Sequence, residues 1–278
     1  MPVTPATTAL RISFIGGGNM ASALIGGLAG KLTDAAHLYV VEINPEARAR
    51  LQQSGVRTSE AIDATVGNSD VIVLAVKPQQ MREVVAALKP FVTTQMLISI
   101  AAGIRAVDLS RWLDGYGAIV RTMPNTPALI GKGITGMVAL SGVSAQQRAH
   151  ADAIMRAVGA TVWLDDEALI DPVTALSGSG PAYVFYFIEA MQRAGEALGL
   201  TAAQAGELSI ATFVGASELA ANATDPVSVL RERVTSKGGT THAALVSLAD
   251  SGVADAIVRA IEAASARGKA LGEEFGRG

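Results

Sequence analysis

Ser236-Lys237-Gly238-Gly239-Thr240-Thr241 packs hydroxyls around paired glycines immediately ahead of the apolar-periodic stretch His242-Ala243-Ala244-Leu245-Val246-Ser247-Leu248. A glycine-flexed turn feeding a helix start aims several backbone N–H groups at one point, and the hydroxyls of Ser236, Thr240 and Thr241 stand beside them. Such a turn suits a carboxylate or a phosphate. An ordinary threonine N-cap after a glycine turn has the same local pattern. His37, His150 and His242 are scattered, no His/Asp/Glu set has metal-ligand spacing, and the chain has no cysteine. Disulfides, thiolate metal sites and cysteine nucleophiles are thereby excluded. Each histidine reads as solvated or locally bonded.

A second chemistry-bearing cluster lies near the other end. Phe14-Ile15-Gly16-Gly17-Gly18-Asn19-Met20-Ala21 closes a strand pattern and opens a helix pattern, matching Gly-x-Gly-x-x-Gly/Ala. Gly16 permits the tight turn, Gly18 lets the backbone approach a pyrophosphate, and Ala21 is small enough for close helix–strand packing. The loop predicts dinucleotide binding, with Gly16, Gly18, Asn19 and Met20 against the cofactor. Glu42 ends the second strand 24 residues after Gly18, where an acid accepts hydrogen bonds from the adenosine ribose of NAD and repels a 2′-phosphate. Asn44 and Arg48 lie just beyond and would still receive such a phosphate, so the choice between NADH and NADPH stays open. Ala75-Val76-Lys77-Pro78 closes a further strand with Lys77 at the carboxyl edge, where ligands bind. The small residues of Ser99-Ile100-Ala101-Ala102-Gly103 suit a flat nicotinamide close to the backbone.

The elements that must position these clusters follow from hydrophobic period. Leu10–Ile15, Leu38–Glu42, Val71–Val76, Leu97–Ile100 and Ala118–Arg121 read as strands, several apolar throughout, with helical lengths between them. Gly133–Leu140 and Thr161–Leu164 extend the same sheet on either side of a helix around Ser144–Val158. This is a doubly wound α/β plan, giving a Rossmann dinucleotide-binding domain over residues 1–164. From residue 165 to 278 the pattern is all-α: Pro181–Leu198, Ala202–Ala221, Pro226–Val234, Thr241–Asp250 and Val253–Glu274. These helices are apolar on more than one face, notably Ala211–Ala221 and Ala254–Ala266. That predicts a subunit interface, an intertwined homodimer, in place of a monomeric Ala-rich bundle.

With 278 residues, half of them hydrophobic, two cores fit. A formal charge of −3 without a dense Lys/Arg run argues against nucleic acid. No window reaches the apolar length of a membrane span, and Met1–Thr8 lacks the basic-plus-apolar plan of a signal peptide. A soluble, cytoplasmic protein is expected.

Taken together the motifs resemble pyrroline-5-carboxylate reductase. They are Phe14–Met20, Ala75–Pro78, Ser99–Gly103, Arg121-Thr122-Met123-Pro124-Asn125-Thr126-Pro127, Ser177-Gly178-Ser179-Gly180-Pro181-Ala182-Tyr183 and Ser236–Thr241, in that order. The resemblance implies a Rossmann domain, an interlocked helical dimerisation domain, often a ring of five dimers, and NADPH or NADH as hydride donor. It implies reduction of the C=N bond of 1-pyrroline-5-carboxylate to L-proline, the last step of proline biosynthesis. It also implies site roles: Ser236, Gly238, Gly239 and Thr240 on the substrate carboxylate, Thr241 on the ring nitrogen, Ser177 and Ser179 lining the substrate pocket, and Asn125 at the cofactor. Lys237 stands where many family members carry proline, and Thr224 where many carry glutamate; no acid is assigned a role there. The chemistry agrees, because a protonated imine is already electrophilic and needs positioning rather than a metal or a strong base.

Rivals are a related imine reductase, a β-hydroxyacid dehydrogenase and a non-catalytic dinucleotide sensor. The hydroxyacid enzymes use a lysine on the first long helix of the second domain, and Pro181–Leu198 has none.

Overall fold

The computed structural model describes residues 10–277; Met1–Thr8, expected not to be a leader, lies outside them. The elements alternate as β1 (Ile12–Ile15), α1 (Asn19–Leu28), β2 (Leu38–Val41), α2 (Pro45–Gln53), β3 (Arg57–Ser59), β4 (Val71–Leu74), α3 (Met81–Leu88), β5 (Met96–Ser99), α4 (Ala106–Trp112) and β6 (Ile119–Met123). β7 (Gly133–Ala139), α5 (Ala145–Arg156) and β8 (Gly159–Trp163) follow. All eight strands join one sheet in the order β3-β2-β1-β4-β5-β6-β7-β8. Every neighbouring pair is parallel except β6 and β7. The order reverses between β1 and β4, the point where doubly wound sheets open a crevice at their carboxyl ends.

β1, β2, β4 and β5 are buried along their whole lengths, as strands covered on both faces must be. Phe14, Val40, Val73 and Ile98 pack on one face against Leu24 and Leu28 of α1 and Ile154 and Met155 of α5. Ile15, Ile72, Leu74 and Leu97 pack on the other against Met81, Val85 and Leu88 of α3 and Leu109 of α4. Each such side chain contributes about 1.5–3 kcal/mol by leaving water. β3 was not expected. It is the polar triplet Arg57-Thr58-Ser59 at the sheet edge, paired only with β2, so no apolar run marks it.

After β8 come α6 (Ile170–Val173), α7 (Gly180–Ala197), α8 (Ala202–Asn222), α9 (Val227–Arg233), α10 (Thr240–Asp250) and α11 (Val253–Gly276). Ahead of the helix expected from Pro181 the chain is already helical: a π-turn, Thr174–Gly178, leads from α6 to α7. Ser179 N donates five residues back to Thr174 O at 2.8 Å. Gly178 makes room for this, since a Cβ there would stand 2.5 Å from Met123 Cε.

The chain forms two compact units. One takes the chain up to Ser179 and regains it from Ala264 onward; the other is Gly180–Ala263. In the first, the end of α11 closes the sheet's second core: Phe275 packs against that cluster, and Arg111 Nη2 donates to Gly276 O at 2.6 Å. The second unit has little core of its own. α7, α9 and α10 bury no residue, α8 buries only Ala205 and Ser209, and Leu219 is 73 % exposed.

Candidate functional site

Register sets Val41, Ile15, Leu74, Ser99 and Arg121 in one row across five parallel strands. The loops leaving that row therefore open on one edge, and they carry the sequence-predicted nucleotide residues. Gly16 adopts φ +101° and donates to Val41 O at 2.8 Å. A Cβ on it would stand 2.6 Å from the Ala75 carbonyl oxygen, so only glycine fits. Gly18 differs. It is the N-cap of α1 in ordinary extended geometry, φ −67° and ψ −174°, and an added Cβ would meet nothing within 4 Å. No side chain caps α1, its first turn holds no acid, and Gly18 and Asn19 are exposed. Met20 is half-buried beside them. Free N–H groups over an open glycine at the positive end of a helix dipole fit a pyrophosphate.

Glu42 follows the last residue of β2. Its Oε2 accepts from Gly17 N at 2.7 Å and its Oε1 from Asn44 N at 2.8 Å. Asn44 Oδ1 accepts from Ala47 N at 2.9 Å and caps α2. Arg48 turns back on the chain: Nη1 donates to the carbonyls of Glu42 at 2.7 Å and Ile43 at 3.0 Å, and Nη2 lies 3.4 Å from Glu60.

β4 stops at Leu74 and not at Val76, but Ala75 N still reaches Ile15 O at 2.8 Å and Val76 flanks Gly16. Lys77 is exposed and Pro78 opens a short 3₁₀ turn. Ala101 is buried. Gly103, at φ +74°, lies against α11: a Cβ would stand 3.2 Å from Leu271 and Phe275. Asn125 is nearly buried with both amide groups engaged, Oδ1 accepting from Ile134 N at 2.9 Å and Nδ2 donating to Ser177 O at 3.1 Å. Ser177 Oγ donates to Val173 O at 3.0 Å, and Ser179 is half-buried at the end of the π-turn.

One residue given no role in the sequence reading holds this edge together. Arg121 is only 3 % exposed, pairs with Glu167 at 3.0 Å and lies 3.7 Å from Asp171. Glu167 also accepts from Ala106 N at the start of α4. β6, α4 and α6 are thus joined through a single buried guanidinium. A buried charge at the end of an apolar strand was the available signal, since such a group survives only when paired. Arg105, Arg121, Glu167, Asp171 and Lys269 line a cavity of about 470 Å³ there.

In the helical unit, Gly238 has φ +73° and Gly239 N donates to Ser236 O at 3.0 Å. A Cβ on Gly239 would fall 2.6 Å from Ser236 Oγ, so the hydroxyl lies directly over that glycine. α10 begins at Thr240, one residue earlier than expected, with Gly239 as N-cap, no side-chain cap and no acid in its first turn. The ordinary threonine N-cap is therefore not what forms. Ser236, Thr240 and Thr241 are exposed at this uncapped helix start. Among the described residues, no group of three or more His, Asp or Glu side chains is placed to hold a metal ion, and no helix is long and apolar enough to cross a membrane.

Comparison with known proteins agrees with this layout. Residues 167–271 match the family model described as pyrroline-5-carboxylate reductase dimerisation, and residues 11–103 match that described as NADP oxidoreductase, coenzyme F420-dependent. The pyrroline-5-carboxylate reductase of Pseudomonas aeruginosa is 44 % identical over 269 residues, covering 96 % of this chain and 98 % of that one. The solved structure of the Coxiella burnetii pyrroline-5-carboxylate reductase superposes with a TM-score of 0.88 at 38 % identity, covering 95 % of this chain and 99 % of that one. That of the Plasmodium falciparum pyrroline carboxylate reductase, with NADP bound, gives 0.84 at 30 % identity, covering 95 % and 98 %.

Proposed function

The chain belongs to the pyrroline-5-carboxylate reductase family, and on that premise we propose how its own residues carry the reaction. It is an NAD(P)H-dependent oxidoreductase and a homo-oligomer. The reaction is hydride transfer to the C=N bond of 1-pyrroline-5-carboxylate, giving L-proline. A reduced nicotinamide supplies the hydride when bound. The protein's part is to hold two planar reactants face to face, keep water out and hydrogen-bond the ring nitrogen. An imine reductase of other specificity, a β-hydroxyacid dehydrogenase and a non-catalytic sensor are not favoured by the relatives.

Gly16, Gly18, Asn19 and Met20 receive the pyrophosphate at the start of α1, and Glu42 and Asn44 flank the adenosine ribose. Ala75, Val76, Lys77 and Pro78, then Ala101 and Gly103, line the way to the nicotinamide. Asn125 acts there by fixing the loop after β6, because its amide is already engaged. The N–H groups of Gly238 and Thr240, with the Ser236 hydroxyl, hold the substrate carboxylate, and Gly239, its own N–H given to Ser236 O, shapes the turn beneath it. Thr241 bonds the ring nitrogen; a hydroxyl both donates and accepts, so it serves imine and amine alike. Ser177 and Ser179 are the further substrate-pocket residues that the family resemblance implies. The observation that carries the reading is the uncapped start of α10 under exposed hydroxyls.

The near-absence of buried residues in α7–α10 supports a homodimer built on those helices, and the family resemblance extends this to a ring of five dimers. We infer that the enzyme works in the cytoplasm.

The test is to follow NADH and NADPH oxidation with pyrroline-5-carboxylate in wild type and Thr241→Val. Losing one hydrogen bond at the reacting nitrogen should lower kcat by about tenfold to a hundredfold, with the KM for dinucleotide unchanged. Unchanged turnover in the variant would remove Thr241 from the mechanism; no turnover in wild type would remove the reaction.

A further inference from the structure

We propose that Glu42 makes this enzyme NADH-preferring, by acting as an internal anion in the place where a 2′-phosphate would otherwise bind. The inference rests on the dinucleotide reading of the glycine loop and concerns its adenosine end alone.

The end of β2 offers few groups that a phosphate monoester would seek: the amide of Asn44, the amide of Gly17 and the guanidinium of Arg48. Each is already engaged. Both amides donate to Glu42, one to each carboxylate oxygen, at 2.7 and 2.8 Å. Arg48 donates to the carbonyls of Glu42 and Ile43 and pairs with Glu60, leaving its guanidinium turned into the chain at 20 % side-chain exposure. Asn44 presents its side-chain oxygen to α2. A carboxylate has about four acceptor sites, so two remain on the half-buried Glu42 to accept from ribose hydroxyls.

A 2′-phosphate brings about −1.5 to −2 charge at neutral pH. Here it would meet a fixed negative charge, with the two backbone amides beside it already taken by that charge. To bind, it would have to displace Glu42 from both amides, leaving that carboxylate without its partners in a half-buried place. The 2′-hydroxyl of NADH needs no such exchange. Gly17 belongs to the same device, since a Cβ there would stand 3.2 Å from Glu42 Oε2 and 3.1 Å from Leu51. Ile43, 74 % exposed beside the carboxylate, offers an apolar flank for an adenine ring.

Binding of oxidised dinucleotides tests this without turnover. Isothermal titration of the intact oligomer should show NAD+ binding tighter than NADP+ by about tenfold or more. Glu42→Ser, which releases both amides, should bring NADP+ level with or ahead of NAD+. Glu42→Gln, which keeps the size and one acceptor but removes the charge, should narrow the ratio by at least about threefold, and it carries the test if the serine variant does not fold. Wild type binding NADP+ as tightly as NAD+, or a ratio unmoved in both variants, would overturn the proposal. So would failure to bind either dinucleotide, which would take the nucleotide reading with it. A protein that prefers NAD+ in this way but does not reduce pyrroline-5-carboxylate would refute the proposed reaction and leave the role of Glu42 intact.

Discussion

Alanine at Gly16 and alanine at Gly18 should fail in opposite ways, although the positions are two residues apart in one loop. At Gly16 the backbone sits at φ +101°. Holding a non-glycine residue there costs about 1–3 kcal/mol. Its Cβ would stand 2.6 Å from the Ala75 carbonyl oxygen, whose own amide is bonded to Ile15. Relieving that contact by moving the β1 and β4 ends adds about 1–3 kcal/mol. The sum, roughly 2–6 kcal/mol, corresponds to a melting point lower by on the order of 10 °C. At Gly18 the geometry is already that of an ordinary residue and the space beyond is open. Alanine there should leave stability unchanged or raise it by about 0.4–1 kcal/mol, through a less flexible unfolded chain. The same methyl would stand where the pyrophosphate must approach the α1 amides. Dinucleotide affinity should fall on the order of a hundredfold, about 2.7 kcal/mol. Thermal melting without ligand and titration with NAD+ measure the two effects separately. A Gly18→Ala protein that melts as low as Gly16→Ala, or binds NAD+ like wild type, would refute the reasoning.

Two further outcomes follow from other parts of the molecule. Asp152 accepts from Thr161 Oγ1 at 2.7 Å and Trp163 Nε1 at 3.1 Å and pairs with Arg156, tying α5 to β8. Burial pushes its carboxyl up, but the bonds from Thr161, Arg156 and Trp163 outweigh this and hold it below the usual carboxylate range. A value depressed on folding stabilises above the unfolded value, near about pH 4, and that stabilisation is lost as pH falls through the folded value. Asp152→Asn should therefore lose about 1–2 kcal/mol in urea unfolding at pH 7, measured at one protein concentration, with the gap closing below about pH 4; an equal gap at both pH values would contradict it. On α8, Ile210 and Val214 are half or more exposed and four residues apart. The double change Ile210→Glu, Val214→Glu would cost a monomer about 0.5 kcal/mol per site or less, but it should break the homo-oligomer in a light-scattering measurement; an unaltered mass would place the interface elsewhere.

What could be read from the sequence divides along physical lines. Ile12-Ser13-Phe14-Ile15 and Val71-Ile72-Val73-Leu74 are buried on both sides, so their composition alone marks them as strands. The five helices after Gly180 were found within one or two residues, because Thr201 with Gln204, Pro226 and Gly252 punctuate them. Arg57-Thr58-Ser59 escaped because an edge strand is made by its neighbour and not by its own residues. The π-turn before Gly180 escaped because Gly178 there satisfies a packing demand from Met123, which lies on β6, far earlier in the chain and invisible locally. The site shows the same division. The glycine loop and the Ser236–Thr241 turn announce themselves by local conformation. That Arg48 faces inward and that Arg121 carries the buried ion pair depend on partners, Glu60 and Glu167, which no spacing rule connects to them.

The return of α11 to the sheet has a consequence for how the chain comes into being. Phe275 and the Gly276 carbonyl complete a core whose other members lie between Ile15 and Leu140. During synthesis the strands and helices up to β8 emerge long before those closing residues do, and domains ordinarily settle in the order they are made. Here the nucleotide-binding unit must wait, one apolar flank uncovered, until α11 has been translated. The first unit to be made is the last to be finished, and a nascent chain stalled before residue 264 would present that open flank as a surface for chaperones or for aggregation.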